Sequence, residues 1–301
     1  MDYRPPTIDY HMQHLIQEPT DLQINDFITR AFREDVGEGD HTSLACIPAD
    51  ARTKARLLVK SDCVLAGVAL AQRIFKSVDE TVEFDLMMPD GTAAKYGDIA
   101  FTVECNSRAL LQAERLSLNA MQRMSGIATL SREFVDKIEG TSAKLLDTRK
   151  TTPLLRFLEK WAVRIGGATN YRFGLYDWIM VKDNHVDACG GITQAIKSVA
   201  DYQAKNGLKL GFTIETRNLD EVREVMQVGK GIVTQIMLDN FDLKTTREAV
   251  GLIGTTFNTE ASGGVNLDTV RPIAETGVDY ISVGALTHSY HSKDLSLKVM
   301  K

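Results

Sequence analysis

The sequence has 301 residues, 44% of them hydrophobic and 25% charged, and a formal net charge of −5 at pH 7. This composition is typical of a folded globular protein and argues against a mainly disordered chain. A negative net charge disfavours a nucleic-acid-binding protein, which would spread Lys and Arg over one face, so we expect no nucleic-acid partner.

The sequence also argues against membrane insertion and secretion. No apolar run approaches the roughly 18 residues of a membrane-spanning helix. The first part of the chain, ahead of Thr20, alternates polar and apolar residues and lacks the apolar core of a signal peptide. We therefore expect a cytoplasmic protein without a membrane partner.

The N-terminal part of the chain combines helical and strand-like patterns. Apolar residues recur at helical spacing from Leu22 to Glu34, near Ala69–Phe75 and over the proline-free stretch 107–140. Short apolar runs bounded by turn residues predict strands at Ala55–Val59, Val64–Ala66, Val82–Met87 and Ile99–Val103. We expect residues 1–118 to form a small α+β domain, with residues from about 290 to 301 packing back on it.

After Gly140 the pattern changes to strands that alternate with helices. Six apolar runs predict strands at Lys144–Thr148, Trp178–Asp183, Leu210–Glu215, Gln235–Asp239, Phe257–Ala261 and Tyr280–Gly284. Helical patterns separate them at Leu154–Ile165, Ile192–Lys205, Leu219–Val228, Leu243–Ile253 and Leu267–Thr276. This alternation indicates a parallel sheet. Because a complete eight-stranded barrel needs about 250 residues, we expect residues 119–289 to form an incomplete six-stranded α/β barrel. An open doubly wound sheet is the alternative.

Polar residues stand at the ends of the predicted strands, where parallel α/β folds place their reactive groups. The first four strands end in Asp147–Lys150, Lys182–His185, Glu215 and Asp239–Asn240. Arg149 and Arg172 can each bind a carboxylate or a phosphate through two N–H groups, while Lys150 and Lys182 act as point charges. A local group of cations in an acidic protein predicts a small anionic substrate.

Two further features of the strand ends indicate phosphate chemistry. Glu215 and Asp239 follow neighbouring strands and could hold a divalent cation together with substrate phosphates, or could simply pair with the nearby cations. Glycines at 263, 264 and 284 follow the last two strands, where barrels often bind phosphate through free backbone N–H groups.

Several motifs occur together in the order of a known family. They are Glu114-Arg115 to Asn119, Ser125–Thr129, Asp147–Pro153, Lys182–His185, Leu238–Asn240, Ala261–Gly264 and Leu286–Ser289. Over nearly its whole length the sequence resembles the quinolinate phosphoribosyltransferases, also called carboxylating nicotinate-nucleotide pyrophosphorylases. The resemblance implies an α/β fold, with an N-terminal α/β sandwich followed by an incomplete six-stranded α/β barrel. It also implies a homodimer in which each subunit contributes to the other's active site.

The resemblance further implies an activity. Such a pentosyltransferase moves the phosphoribosyl group of phosphoribosyl pyrophosphate to quinolinate, with Mg²⁺ as cofactor. Loss of CO₂ and pyrophosphate then gives nicotinate mononucleotide for NAD biosynthesis. By resemblance, the acid-binding residues are Arg115 from the neighbouring subunit, Arg149, Tyr171, Arg172 and Lys182. The catalytic residues are Lys150, Glu215 and Asp239, and the two carboxylates also face Mg²⁺. The phosphoribosyl group would bind Lys150, Ser262, Gly263, Gly264, Gly284 and His288.

Three residues depart from the family's usual pattern. Tyr171 stands where a His is usual, Thr213 where a Glu is usual, and Leu154 where a Gly is usual. The first change replaces a charged donor by a neutral one, and the third adds bulk at a turn near Lys150. Two alternatives follow: an enzyme for a different aromatic carboxylate, and a non-catalytic homologue that binds phosphoribosyl compounds.

Overall fold

The computed structural model describes residues 19–300, so the predicted lack of a signal peptide concerns residues that lie largely outside it. The chain divides into two compact units. The sandwich unit contains residues 19–132, 157–167 and 289–300. The barrel unit contains residues 133–156 and 168–288.

Most helices of the sandwich unit begin and end close to the predicted positions, and only the short helix at His41–Cys46 was not predicted. The helices of this unit are α1 (Asp21–Asp35), α2 (His41–Cys46), α3 (Val68–Val78), most of α4 (Ser107–Lys137) and nearly all of α5 (Arg156–Ile165). Thr20 caps helix α1: its side chain accepts a hydrogen bond from the backbone N–H of Gln23 and so satisfies a donor that the first turn leaves free. Its buried face carries Ile24 and Ile28, as the helical spacing predicts.

The main sheet of the sandwich unit is antiparallel, in the order β12-β1-β5-β3. Its strands are β1 (Arg52–Val59), β3 (Glu83–Leu86), β5 (Ile99–Asn106) and β12 (Leu295–Val299), and β2 (Cys63–Val64) pairs separately with β4 (Ala93–Ala94). β12 pairs with β1 so that Leu57 lies opposite Leu297. Phe75 of α3 packs edge-on against Phe101 of β5, with ring centroids 6.3 Å apart, so helix and sheet share one apolar core.

Six parallel strands form the barrel unit, in the order β6-β11-β10-β9-β8-β7. They are β6 (Lys144–Leu146), β7 (Ile179–Val181), β8 (Phe212–Thr216), β9 (Gln235–Asp239), β10 (Asn258–Ser262) and β11 (Tyr280–Ser282). Strands β7 to β11 are neighbours in chain order and β11 returns to β6, as in a barrel. A doubly wound sheet would instead reverse its order at a switch point. The incomplete barrel is therefore confirmed, and the open-sheet alternative is wrong.

Most helices of the barrel unit agree with the predicted pattern. The helices of this unit are α6 (Asp183–Cys189), α7 (Ile192–Asn206), α8 (Leu219–Val228), α9 (Leu243–Ile253), α10 (Val270–Ala274) and α11 (Ala285–His288). Helices α6 and α11 were not predicted, because their sequences were interpreted only as polar strand ends. Within residues 19–300, no helix is both long and apolar enough to cross a bilayer. A cytoplasmic location stays a prediction.

Candidate active site

A cavity of about 630 Å³ lies at the carboxyl ends of the barrel strands. Its lining comprises Thr148, Arg149, Lys150, Tyr171, Arg172, Met180, Lys182, Glu215, Met237, Asp239, Asn240, Ser262, Gly263, Gly264, Val265, Ser282, Gly284, Ala285 and His288. Every predicted site residue of the barrel unit is among them. Arg115, which we predict to act on the neighbouring subunit, is exposed on α4 and does not line this cavity.

Two guanidinium groups, those of Arg149 and Arg172, line the cavity and are close enough for their charges to interact. The fully buried Asp147 accepts hydrogen bonds from the Asn170 side chain at 2.6 Å and from the Tyr171 backbone at 2.7 Å, which fixes the segment carrying Arg172. Burial lowers the pKa of Arg172, and the nearby charge of Arg149 lowers it further. An anion bound between these two like charges would relieve their repulsion.

Arg149 has hydrogen-bonding capacity to spare. Its Nε–H is buried and finds no acceptor among the described residues. An unmatched buried donor costs about 1–3 kcal/mol, so a ligand carboxylate that accepts from Arg149 would recover this free energy. The side of the cavity that carries Arg149 and Arg172 therefore suits an anionic group such as a carboxylate.

Two carboxylates and a lysine lie on the neighbouring strands. The Nζ atom of Lys182 is 3.8 Å from Oε2 of Glu215. Burial raises the pKa of Glu215, the charge of Asp239 raises it further, and Lys182 acts in the opposite direction. Glu215 and Asp239 are thus close enough to repel each other, which a bound cation would relieve.

The donor set around Glu215 suits only part of a metal coordination shell. Residues 19–300 contain no group of three or more His, Cys, Asp or Glu placed to hold a metal ion. Mg²⁺ commonly takes one or two carboxylates and completes its octahedron with substrate phosphates and water. Glu215 and Asp239 fit that use and do not fit a closed protein cage.

Tight turns line the other side of the cavity. Gly263 has φ +104°, and a Cβ atom there would overlap the Asn240 side chain, so only glycine allows this approach. The backbone of Gly284 lies beside Lys150 and His288, which a Cβ atom on Gly284 would meet at 3.0 and 3.1 Å. Thr287 donates to the carbonyl of Lys150 at 2.8 Å and joins the two loops. Glycine turns beside two basic side chains suit a phosphate.

The sequence of the chain matches two domain models of one known family. The model described as "Quinolinate phosphoribosyl transferase, C-terminal domain" matches residues 127–298, and that of the N-terminal domain matches residues 40–125. The chain belongs to the quinolinate phosphoribosyltransferase family. The resemblance seen in the sequence is thereby confirmed.

Individual members of the family cover most of the chain. The sequence is 46% identical over 282 residues to "Quinolinate phosphoribosyltransferase [decarboxylating] 2, mitochondrial" of Nicotiana glauca, covering 89% of this chain and 80% of that protein. It is 42% identical over 278 residues to "Probable nicotinate-nucleotide pyrophosphorylase [carboxylating]" of Bacillus subtilis, covering 92% and 94%. The crystal structure of NadC from Streptococcus pyogenes superposes with a TM-score of 0.88 at 36% identity, covering 95% of this chain and all of that one.

Leu154, at a position where the resemblance implies glycine, has a backbone conformation that suits glycine. Its φ is +67°, in the left-handed region, and its side chain is 75% exposed. The other departures meet inside the barrel, where the hydroxyl oxygens of Tyr171 and Thr213 are 2.5 Å apart. The two residues that depart from the expected pattern at positions 171 and 213 are therefore in direct contact.

Sequence reasoning missed several cavity-lining residues of the family fold, although a signal for them existed. Met180, Met237 and Ser282 each stand two positions before a predicted site residue on the same strand or just beyond its end. Because alternate residues of a strand share a face, these residues point to the same side as Lys182, Asp239 and Gly284.

Proposed function

We propose that the chain transfers the phosphoribosyl group of phosphoribosyl pyrophosphate to quinolinate and releases pyrophosphate and CO₂. One observation carries this proposal: a single cavity offers paired guanidinium groups on one side and glycine turns with basic side chains on the other. The names of the relatives describe the same reaction. The product would be nicotinate mononucleotide, for NAD biosynthesis.

At the acid side, Arg149, Arg172 and Lys182 would bind the two carboxylates of quinolinate. Guanidinium groups grip a carboxylate in a fixed plane, so they orient the ring as well as neutralise it. The pyridine nitrogen would then face the sugar bound at the glycine turns. Holding both reactants in this way supplies much of the rate enhancement of a transfer reaction.

At the phosphate side, Lys150 would neutralise charge as pyrophosphate leaves the anomeric carbon. Glu215 and Asp239 would hold Mg²⁺ through the substrate and water, and the ion would add Lewis-acid stabilisation of the leaving group. Ser262, Gly263, Gly264, Gly284 and His288 would hold the 5′-phosphate.

Loss of CO₂ needs less from the protein. The carboxylate next to the ring nitrogen leaves its electron pair beside a cationic ring nitrogen, so the substrate itself stabilises the developing charge. The protein's part is to hold the ring in place and to keep water away.

We also propose a homodimer with shared sites, in which Arg115 of one subunit completes the acid side of the other. Arg115 supports this because it is exposed on α4, one turn after the exposed apolar Leu111. Gel filtration with light scattering should give twice the 33.3 kDa mass of the chain.

The decisive test is direct. Purified protein mixed with quinolinate, phosphoribosyl pyrophosphate and Mg²⁺ should give nicotinate mononucleotide and one CO₂ per pyrophosphate, and removal of Mg²⁺ with a chelator should stop it. Conversion of another pyridine carboxylate but not quinolinate would indicate the alternative acid. Ligand binding without turnover of any acid would indicate the non-catalytic homologue.

A further inference from the structure

Behind the cavity wall, the hydroxyl of Tyr171 is held by side chains from three adjacent strands. It lies 2.5 Å from the Thr213 hydroxyl of β8, accepts from the Gln235 amide of β9 at 3.2 Å, and donates to the Glu260 carboxyl of β10 at 3.1 Å. Thr213, Gln235 and Glu260 are fully buried and do not line the cavity. A cavity-lining side chain is thus fixed by groups that a ligand does not reach.

The direction of these hydrogen bonds follows from the chemistry of the groups. Trp178 can only donate, and its indole N–H donates to the Thr213 hydroxyl at 2.9 Å. An ionised Glu260 can only accept. With Glu260 ionised, the Tyr171 hydroxyl therefore donates its hydrogen bond to Glu260, and the Thr213 hydroxyl donates to the Tyr171 oxygen. Consequently Tyr171 presents its ring to the cavity, and its hydroxyl is not free for the acid.

Glu260 also holds a second cavity-lining side chain. Ser282 of β11 donates its hydroxyl to Glu260, and the Gln235 amide donates to the other carboxyl oxygen. The charge of Glu260 reaches the acid-binding group as well, because it raises the pKa of Arg172 against the effect of burial. One buried carboxyl is therefore coupled to three residues of the cavity wall.

The Tyr171 ring has little freedom to move. It packs edge-on against Trp178, with ring centroids 5.8 Å apart and the ring planes at 65°, inside a buried cluster with Leu146 and Tyr280. Loss of any member of the hydroxyl chain would leave a buried polar group unmatched and release one end of the ring.

We propose that Glu260 is a positioning residue that, through Tyr171 and Ser282, sets the shape of the acid side of the cavity and so selects which aromatic acid fits. This inference rests on the proposed function, since it concerns the acid half of that site. Thr213 acts together with Glu260, because its hydroxyl also orients the Tyr171 side chain.

Variants of these residues test the proposal. Tyr171→Phe, Thr213→Val, their double variant and Glu260→Gln should be compared at pH 8 for binding and turnover of a panel of pyridine mono- and dicarboxylates. Each single variant should raise the KM and Kd of the preferred acid about tenfold, change its ranking against the others, and leave kcat and the KM of phosphoribosyl pyrophosphate within about twofold. The double variant should lose less than the sum of the singles, because the two hydroxyls act together.

Tyr280→Phe is the matched control, since it makes the same substitution in the same buried cluster away from the cavity wall. It should leave the Kd of the acid unchanged. Additive losses at positions 171 and 213, an unchanged Kd in Tyr171→Phe, or a parallel rise in the KM of phosphoribosyl pyrophosphate would each overturn the proposal. If Glu260→Gln does not fold, the cycle between Tyr171 and Thr213 decides alone.

The same experiment separates this inference from the proposed function. If the wild-type chain uses another acid instead of quinolinate, the proposed function fails, and the cycle measured on that acid still decides the role of the hydroxyl chain. If the wild-type chain binds no acid of the panel, both are wrong.

Discussion

The Asp147 carboxylate accepts a hydrogen bond of 2.7 Å from the backbone N–H of Tyr171, although a loop and a whole helix separate the two residues in the chain. Asp147 is fully buried at the end of β6 and also accepts from Asn170. Through this contact one strand end places the next part of the acid site, because Arg172 follows Tyr171 directly. A residue outside the cavity lining thus determines where a predicted acid-binding residue lies.

Asp147→Ala should therefore weaken both the fold and acid binding. Two buried donors lose their acceptor, so we expect the free energy of unfolding to fall by about 2–4 kcal/mol and the KM for quinolinate to rise. Urea unfolding at fixed protein concentration and steady-state kinetics measure the two effects. Asp201→Ala, at an exposed position of α7, is the control and should change neither. An Asp147→Ala enzyme with an unchanged KM would contradict this role.

Arg149→Ala should remove a principal ligand of the substrate carboxylates. The loss of a charge-assisted pair in a largely closed site costs several kcal/mol, so kcat/KM for the acid should fall by about two to three orders of magnitude. Arg149→Lys should recover only part of this, because an ammonium group lacks the planar pair of donors. Arg223→Ala, which removes an exposed arginine paired with Asp220, should leave kcat/KM unchanged.

Much of this site was predictable because its information is local. Strand ends are marked by the change from apolar to polar residues, and the positive φ of Leu154 agrees with the glycine expected there. The contact between Tyr171 and Thr213 was not predictable, since it joins residues 42 positions apart. Thr213 was interpreted only as the loss of a carboxylate, whereas the structure shows a hydroxyl that orients its neighbour.

The fold shows the same division between local and long-range information. Helix and strand periodicity predicted most of the elements, including the exact bounds of β9, α8 and α9. The pairing of β12 with β1 joins segments more than two hundred residues apart, and no local pattern specifies which edge a strand will cover. The short α6 was missed because seven residues give little periodicity to recognise.

Leu154→Gly should stabilise the protein. A non-glycine residue in the left-handed region costs roughly 1–2 kcal/mol, and an exposed Leu side chain contributes little packing energy to offset this strain. After the entropy cost of glycine is subtracted, we expect the free energy of unfolding to rise by about 0.5–1 kcal/mol. Leu175→Gly is the matched control, because Leu175 is 72% exposed and has no positive φ. It should destabilise the fold in the same urea experiment. Equal effects of the two substitutions would show that the backbone at Leu154 is not strained.

Mixing two inactive variants should restore activity if the sites are shared. Arg115→Ala removes the side chain that would complete the neighbouring subunit's cavity, and Lys150→Ala removes a side chain of the subunit's own cavity. Half of the randomly exchanged dimers are mixed, and each contains one intact site, so about a quarter of wild-type activity should return. Equal mixing after mild dissociation, followed by an activity assay, measures this. The Arg149→Ala and Lys150→Ala pair, both in the same cavity, should restore nothing. No recovery in the Arg115→Ala and Lys150→Ala mixture would contradict sharing.

Glu260 should make stability depend on pH in an unusual direction. Burial raises its pKa to about 7, against the hydrogen bonds from Ser282, Gln235 and Tyr171 that lower it. The folded state therefore favours the protonated carboxyl, and this contribution is complete below the unfolded pKa of 4.5 and is lost as the pH rises through 7. In Glu260→Gln the group does not titrate. The free energy of unfolding of the wild type, relative to that variant, should fall by about 3 kcal/mol between pH 4 and pH 8. Parallel curves for the two proteins would mean that folding leaves the pKa of Glu260 unshifted, because the hydrogen bonds from its three donors offset the effect of burial.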